Sequence, residues 1–299
     1  MGKLDIKACP ICKSTSLKHY IDCTDFYATG ERFSIKECCD CGFRMTDGAP
    51  VEAEIGRYYE SPDYISHSDT HKGLMNKVYH HVRQYMLRKK VQMVVKASGI
   101  KSGTMLDYGT GTGYFPNAMK EAGWSVSAIE KSPQAREFAK KNFGIDVKAE
   151  SEFSSIEADT FDAITLWHVM EHVENLDLLW ENIDRCLRPG GTLVVAVPNC
   201  SSADAAIYKE YWAAYDVPRH LWHFVPQTME RLAKQKGYEV AEELPMPFDA
   251  FYVSMLSEKY MGHSCYFLRG MISGARALAK ALGCKRKSSS IIYILKKKN

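Results

Sequence analysis

Long apolar runs are missing from this 299-residue chain: none approaches the length of a membrane span, and the opening Met1-Gly2-Lys3-Leu4-Asp5-Ile6 lacks the apolar core of an export signal. Ile6 also stands where a myristoylation signal needs Ser or Thr. Charge of one sign is equally scarce. A net charge of +3 demands neither nucleic acid nor an anionic membrane. Residues 1–50 hold no basic cluster large enough to leave a phosphate footprint. There is no internal repeat and no low-complexity tract. A cytoplasmic protein is therefore expected, long enough for one full domain and a small accessory one.

Cysteine is not scarce, but it is unevenly placed. Six of the ten cysteines (Cys9, Cys12, Cys23, Cys38, Cys39 and Cys41) fall in the first 41 positions, which points to a metal rather than to scattered disulfides. Cys9-Pro10-Ile11-Cys12 and Cys38-Cys39-Asp40-Cys41 are two C-x-x-C knuckles, each able to turn two thiolates toward one tetrahedral ion. The expected ligands are Cys9, Cys12, Cys38 and Cys41, with Cys39 competing for the place of Cys38. All four positions would be filled by protein, so the zinc would be structural.

The most informative segment is Thr104-Met105-Leu106-Asp107-Tyr108-Gly109-Thr110-Gly111-Thr112-Gly113, an apolar strand that ends in an acid and opens into alternate glycines. Such glycines permit a tight strand-to-helix turn and let a ligand approach the backbone. The spacing is G-x-G-x-G rather than the G-x-G-x-x-G usual for nicotinamide cofactors, and Tyr114 stands where the third glycine would be. A carboxylate before the glycines would repel pyrophosphate, so a cofactor carrying a cationic amine fits better. A second strand, from Trp124 to Ile129, ends in Glu130, an acid able to accept from both ribose hydroxyls. Ser132 then caps a helix whose first residue is Pro133. A third unit runs from Phe161 through Trp167 and His168 into Val169-Met170-Glu171-His172-Val173.

Together these segments resemble the class I S-adenosylmethionine-dependent methyltransferases, in particular those of ubiquinone-pathway and sugar-modifying type. The resemblance covers about residues 75–245. It implies that the glycine loop (Asp107, Gly109, Gly111, Gly113) holds the methionine part of S-adenosylmethionine, that Glu130 holds the ribose, and that Glu150 to Phe153 flank the adenine. The N-terminal module is similar in outline to the one preceding the catalytic domain of deoxysugar C-methyltransferases.

Alternation of strands and helices predicts a doubly wound α/β sheet, seven-stranded and mostly parallel. Its strands are expected at Thr104–Tyr108, Ser125–Glu130, Asp146–Lys148, Asp162–Trp167, Thr192–Val197, Tyr238–Glu243 and Ser290–Leu295, with a long helix from Leu74 to Ala97. The expected layout is a zinc-ribbon-like module over 1–50, a polar connector over 51–73 and the methyltransferase domain over 74–299. An insertion over 248–284 mixes Phe, Tyr, Met and Leu with Arg269, Arg276, Lys280, Lys285, Arg286 and Lys287. It reads as a lid packed on the sheet in preference to a membrane-surface helix.

In open parallel sheets ligands bind beyond the carboxyl ends of the strands, so Asp107, Glu130, Trp167 and His168 should converge. Methyl transfer is mainly a matter of orientation, but an oxygen or carbon acceptor must also lose a proton. The candidate bases are His220, then His172, with His223 a third; His220 and His223 lie among Pro218, Trp222 and Phe224. The run His168-Val169-Met170-Glu171-His172 also spells H-x-x-E-H, a zinc-protease pattern, which its place at a strand end and the lack of a third ligand argue against. The expected function is methyl transfer to an O or C atom of a small-molecule or saccharide-linked acceptor. An RNA methyltransferase is the alternative, disfavoured because Leu166-Trp167-His168-Val169 replaces the Pro-Pro-aromatic run of amino-group base methylases.

Overall fold

The computed structural model describes residues 2–59 and 74–298, with side chains from residue 82 onward in the first long helix. The polar connector falls mostly within residues 60–73, outside the described residues. Two sheets organise the rest. The larger one has the order β5 (Ser125–Ile129), β4 (Thr104–Tyr108), β6 (Phe161–Trp167), β7 (Leu187–Pro198), β10 (Ser290–Lys297), β9 (Tyr238–Pro245). Pairings from β5 through β7 are parallel, while β10 runs antiparallel to both β7 and β9. The chain order reverses at β4, which opens a crevice above its carboxyl end.

Local sequence explains these elements. Met105, Leu106, Asp107 and Tyr108 are all buried, as are Thr192 through Pro198, because a parallel sheet covered on both faces leaves no side for water. Helix α1 spans Leu74–Ser98 and α2 spans Tyr114–Glu121. Helix α3 (Pro133–Phe143) begins at Ser132, whose hydroxyl accepts from the Ala135 amide, and ends at Gly144 in the left-handed region. Helix α4 (Leu176–Cys186) is capped by Asn175, and α6 (Pro226–Gln235) starts on a proline after the short α5 (Ala203–Tyr208). The expected seventh strand is the exception. Of Asp146–Lys148, only Lys148 pairs, as a single parallel bridge to Ile129, so the sheet has six strands and one bridged edge. None of those three residues is buried, and Ile145 just before them is the nearest that is, too little apolar surface to hold an edge strand in place.

The second sheet is antiparallel, with the order β1 (Leu17–Thr24), β2 (Arg32–Cys38), β3 (Arg44–Asp47), β8 (Trp222–His223). Its fourth strand comes from the far side of the chain: Arg44 pairs with His223 and Met45 with Trp222. The N-terminal module therefore does not stand apart from the larger domain. Ile11, Phe43 and Met45 share one continuous core with Leu221, Phe224 and Met229.

The insertion between β9 and β10 is a helical hairpin, α7 (Asp249–Tyr260) and α8 (Tyr266–Gly283). A methyl group on Gly270 would lie 2.5 Å from the Met255 Cα, and one on Gly274 would lie 2.7 Å from the Phe251 Cα. These glycines are what let the two helices approach so closely. Helix α7 is tied down by the Ala213 amide donating to Ser257 Oγ (2.9 Å) and by Tyr208 Oη donating to Glu258 Oε1 (3.0 Å).

Candidate active site

The glycine loop stands at the carboxyl end of β4, as expected, but its glycines do different things. All three have left-handed φ: +75° at Gly109, +56° at Gly111 and +84° at Gly113. A Cβ on Gly109 would strike Val169 Cγ2 at 2.4 Å, and one on Gly113 would meet Ala139 Cβ of α3 at 2.8 Å. Those two are packing requirements. A Cβ on Gly111 would meet nothing within 4 Å, so only there does the loop face open space. The Gly111 amide donates to Glu130 Oε2 (2.7 Å) and the Ser132 amide to Oε1 (2.9 Å). The carboxylate is thereby held at the rim of the same space, with lone pairs left for hydroxyl donors.

Asp107 is buried, and Thr165 Oγ1 donates to it at 2.6 Å. Burial pushes its carboxyl up to about 6 against the hydrogen bond from Thr165, the signature of an anion short of a cation. Lys90 of α1 was not foreseen. Its ammonium lies 4.1 Å from the centre of the Trp167 ring, and burial lowers its pKa while Asp107 and Asp249 resist. The indole Nε1 of Trp167 is buried without a hydrogen-bond partner. On the far side of β4, Tyr108 Oη donates to Glu150 Oε1 (2.5 Å) and its ring lies 5.0 Å from buried Phe153. An open glycine face, a carboxylate at its rim and a buried carboxylate seeking positive charge fit a cofactor with an amine and a diol.

Beyond β6 the chain turns sharply at His168, whose φ is +55°. Its imidazole reaches Asp249 Oδ2 of α7 at 3.2 Å and Glu171 Oε1 at 3.4 Å, with 33% of the side chain exposed. Burial opposes a charged imidazole, but the two carboxylates outweigh it and raise the pKa to about 10. Glu171 is fully buried and neither oxygen has a well-formed hydrogen bond, the approach of His168 being long. The Glu171 carboxyl stays low despite its burial, because His168 favours the anion.

Two of the expected bases meet here. Ligand atoms of Glu171, His172 and His220 lie within 4.8 Å of one another, and the two imidazole rings sit edge to face at 4.5 Å. His172 Nδ1 faces the Arg219 carbonyl at 3.0 Å, and His220 Nδ1 faces the Ala214 carbonyl at 2.9 Å. A carbonyl only accepts, so each ring donates from Nδ1 and leaves Nε2 free of that contact. Burial and the neighbouring His220 depress His172 to about 4, keeping it neutral. His220 Nε2 lies 3.8 Å from Asp216 Oδ2, a carboxylate placed to steady an imidazolium.

His223, the third candidate, is elsewhere. Thr46 Oγ1 gives its only proton to the His220 carbonyl (2.7 Å), so His223 Nε2 must donate to Thr46 (2.9 Å). Burial holds His223 well below its ordinary range, and its role is to fasten β8 to the module. It ends the two-residue strand β8, which exists only through its pairing with β3, so spacing alone could not separate it from His220. The sequence also gave no hint of Asp249, Asp216 or Lys90, which reach the site from the hairpin, the 213–223 segment and α1.

In the module, Cys9 and Cys41 Sγ are 3.5 Å apart and Cys12 and Cys38 Sγ 3.4 Å, with all four sulfurs within 4.8 Å. Ligands at about 2.3 Å from a tetrahedral centre would stand roughly 3.8 Å apart, so the cluster is sized for one ion. Cys39 is exposed and takes no part.

Comparison with known proteins agrees with this geometry. The profile of a family described as methyltransferase domain matches residues 79–243. The mitochondrial ubiquinone biosynthesis O-methyltransferase of Schizosaccharomyces pombe is 36% identical over 101 residues, 31% of this chain and 36% of that one. Its human counterpart is 30% identical over 164 residues, 49% of this chain and 44% of that one. The chain thus spans less than half the length of these two relatives. A proposed sarcosine dimethylglycine methyltransferase from Galdieria sulphuraria has a similar fold, with a TM-score of 0.52 at 16% identity over 73% of this chain and 88% of that one.

Two expectations follow. Gly111→Val should weaken S-adenosylmethionine binding by at least about a hundredfold, roughly 2.7 kcal/mol, because the side chain fills the open face. Gly111→Asn separates crowding from backbone strain, since Asn tolerates positive φ; wild-type affinity by calorimetry in both folded variants would show that the space is not the cofactor's. His168→Gln should change the pH profile of stability. His168 titrates above its ordinary value, so its pairing with Asp249 and Glu171 is fully present below about 6.5 and is lost as pH rises through about 10. The wild-type melting temperature should fall across that window and the variant's should fall less; parallel profiles would contradict the pairing.

Proposed function

The chain belongs to the methyltransferase-domain family, and from that footing we propose that it methylates an oxygen or carbon atom of a small acceptor with His220 as the base. When bound, S-adenosylmethionine supplies an electrophilic methyl group on a sulfonium centre. Asp107, the open face of Gly111, Glu130, Trp167 and His168 would hold it at the carboxyl ends of β4 to β6. The observation that carries the acceptor class is the meeting of His172, His220 and Glu171. An amine acceptor needs no such base, whereas a hydroxyl or carbon acid must give up a proton as the methyl moves.

Geometry divides the labour between the histidines. His220 donates through Nδ1 to the Ala214 carbonyl and turns Nε2 toward Asp216, so a proton taken up there would meet a carboxylate. Neutral His172 packs edge-on against it and fixes its tilt. The turn bearing Glu171 and His172 starts at Val169, which lies against Gly109, so base and cradle share one wall. The activity for which the relatives are named, ubiquinone biosynthesis O-methylation, supports an oxygen acceptor first. The outline of the N-terminal module supports a saccharide-linked acceptor within the same class. Nothing in the geometry or the relatives favours RNA.

Cys9, Cys12, Cys38 and Cys41 would hold one structural zinc, since four converging thiolates leave no open position for chemistry. Thiolates must stay reduced to bind metal, which supports a cytoplasmic location. The zinc module is not idle with respect to the site. Thr46 holds both the His220 carbonyl through its hydroxyl and the Leu221 carbonyl through its amide (2.9 Å).

His220→Ala should lower turnover by on the order of a hundredfold or more while leaving cofactor affinity nearly unchanged, and His172→Ala should cost less. Labelled S-adenosylmethionine incubated with cell extract, followed by mass analysis, identifies the acceptor; rates across pH then follow. Undiminished rates in both variants would sink the assignment and point to an amine. Elemental analysis should find about one zinc per chain. Cys12→Ser or chelation should depress turnover more than cofactor affinity, because the module supports the His220 segment and not the glycine loop. Full activity and an unchanged melting temperature without metal would refute the zinc.

A further inference from the structure

Helix α8 turns its small residues inward and its large ones outward. Gly270, Gly274, Ala277 and Ala281 are buried against the rest of the hairpin, whereas Phe267 is 57% exposed, Leu268 62% and Leu282 79%, with Met271 and Ile272 also exposed. At about 100° per residue these five apolar side chains fall within an arc of roughly 140°. Arg276 and Lys280 border that stripe. The hairpin thus packs as a lid would, but through its small-residue side. A run of outward apolar side chains of this size marks an interaction surface.

The segment that carries the stripe has charge of one sign. From Lys259 to the end of the chain there is no Asp or Glu, and the same stretch carries ten Lys and Arg residues. Arg269 is paired with Glu258, and Arg286 with Glu243 and Glu230. Arg276, Lys280 and Lys285 have no carboxylate partner among the described residues. No helix among the described residues is long and apolar enough to cross a membrane.

We propose that the outer face of α8 docks on the surface of an anionic phospholipid bilayer, the helix lying in the plane of the headgroups. Phe267, Leu268, Met271, Ile272 and Leu282 enter the boundary between headgroups and acyl chains, while Arg276, Lys280 and Lys285 stay among the phosphates. A nucleic acid would match the cations but offers no hydrocarbon to the stripe. A second copy of the chain would bring two cationic rims together. Docking of this kind does not depend on which acceptor the enzyme uses.

Flotation of the full-length protein tests it, using vesicles of phosphatidylcholine alone and with about 30% phosphatidylglycerol. The protein should float with the mixed vesicles only, and about 0.5 M salt should release part of it. Phe267→Ser/Leu268→Ser/Ile272→Ser should cut partitioning at least about tenfold, and Arg276→Glu/Lys280→Glu should remove the preference for phosphatidylglycerol; cofactor affinity monitors folding in both. Phe267→Trp gives a second readout, its emission shifting to the blue on mixed vesicles. The proposal is overturned if the wild type stays unbound, or if the wild type and the triple-serine variant float alike. It is equally overturned if duplex RNA or DNA binds in preference to vesicles. A dimer in light scattering that the triple-serine change dissolves, without vesicle binding, would assign the face to a second copy.

Discussion

A guanidinium removed from water must be surrounded by acceptors, and Arg219, 4% exposed, draws its acceptors from three separate stretches of chain. Asp216 grips it from its own segment, with Asp216 Oδ2 2.9 Å from Nε. Asp25 of the β1–β2 loop lies 3.2 Å away, and the Tyr58 carbonyl accepts from Nη1 at 2.5 Å. Asp25 is itself fixed by accepting the amides of Tyr27, Ala28 and Thr29. Because none of these groups can be left unpaired in the interior, the N-terminal module, residue 58 and the segment bearing His220 are obliged to come together. Removing one carboxylate would strand a buried charge, which is why the arrangement is an all-or-none constraint rather than a sum of small attractions.

The same constraint reaches the paired histidines. Arg219 offers its carbonyl to His172 and sits one residue before His220, so the clamp that fastens the module also sets the tilt of both imidazoles. Opposite them, His168 and Asp249 join the end of β6 to the first residue of α7. The wall that carries the histidines is thus built from non-adjacent pieces, whereas Asp107 and the glycine loop come from one strand-turn-helix and Glu130 from the end of the next strand.

That difference explains what the sequence made legible. The glycine loop, Glu130 and the Ser132 cap are local: their backbone geometry is dictated within a few residues, so spacing suffices to place them. The thiolate set was legible for the same reason, up to the choice between Cys38 and Cys39. Alternation along β2 could not decide it, since strict period 2 would place Cys39, not Cys38, on the face of Phe33 and Ile35; the pattern breaks at the end of the strand, where Cys38 turns inward and Cys39 faces water. His220 and His223 could not be told apart, since only the pairing of β8 with β3 leaves one beside His172 and turns the other onto Thr46. Asp249 and Lys90 carry no local signal, because their roles exist only once α7 and α1 are laid over the strand ends. The missing seventh strand reflects the reverse case, a local pattern with too little apolar surface behind it.

The pairing of β3 with β8 also has a meaning for the order in which the chain is made. The thiolate knuckles and strands β1 to β3 emerge first, whereas Trp222 and His223 follow only after the whole parallel half of the large sheet. Until then β3 presents an unpaired edge beside Phe43 and Met45, the kind of surface that recruits other strands. A nascent chain would therefore carry its own sticky margin while residues 48–221 are made, until the arrival of residues 222–223 seals it.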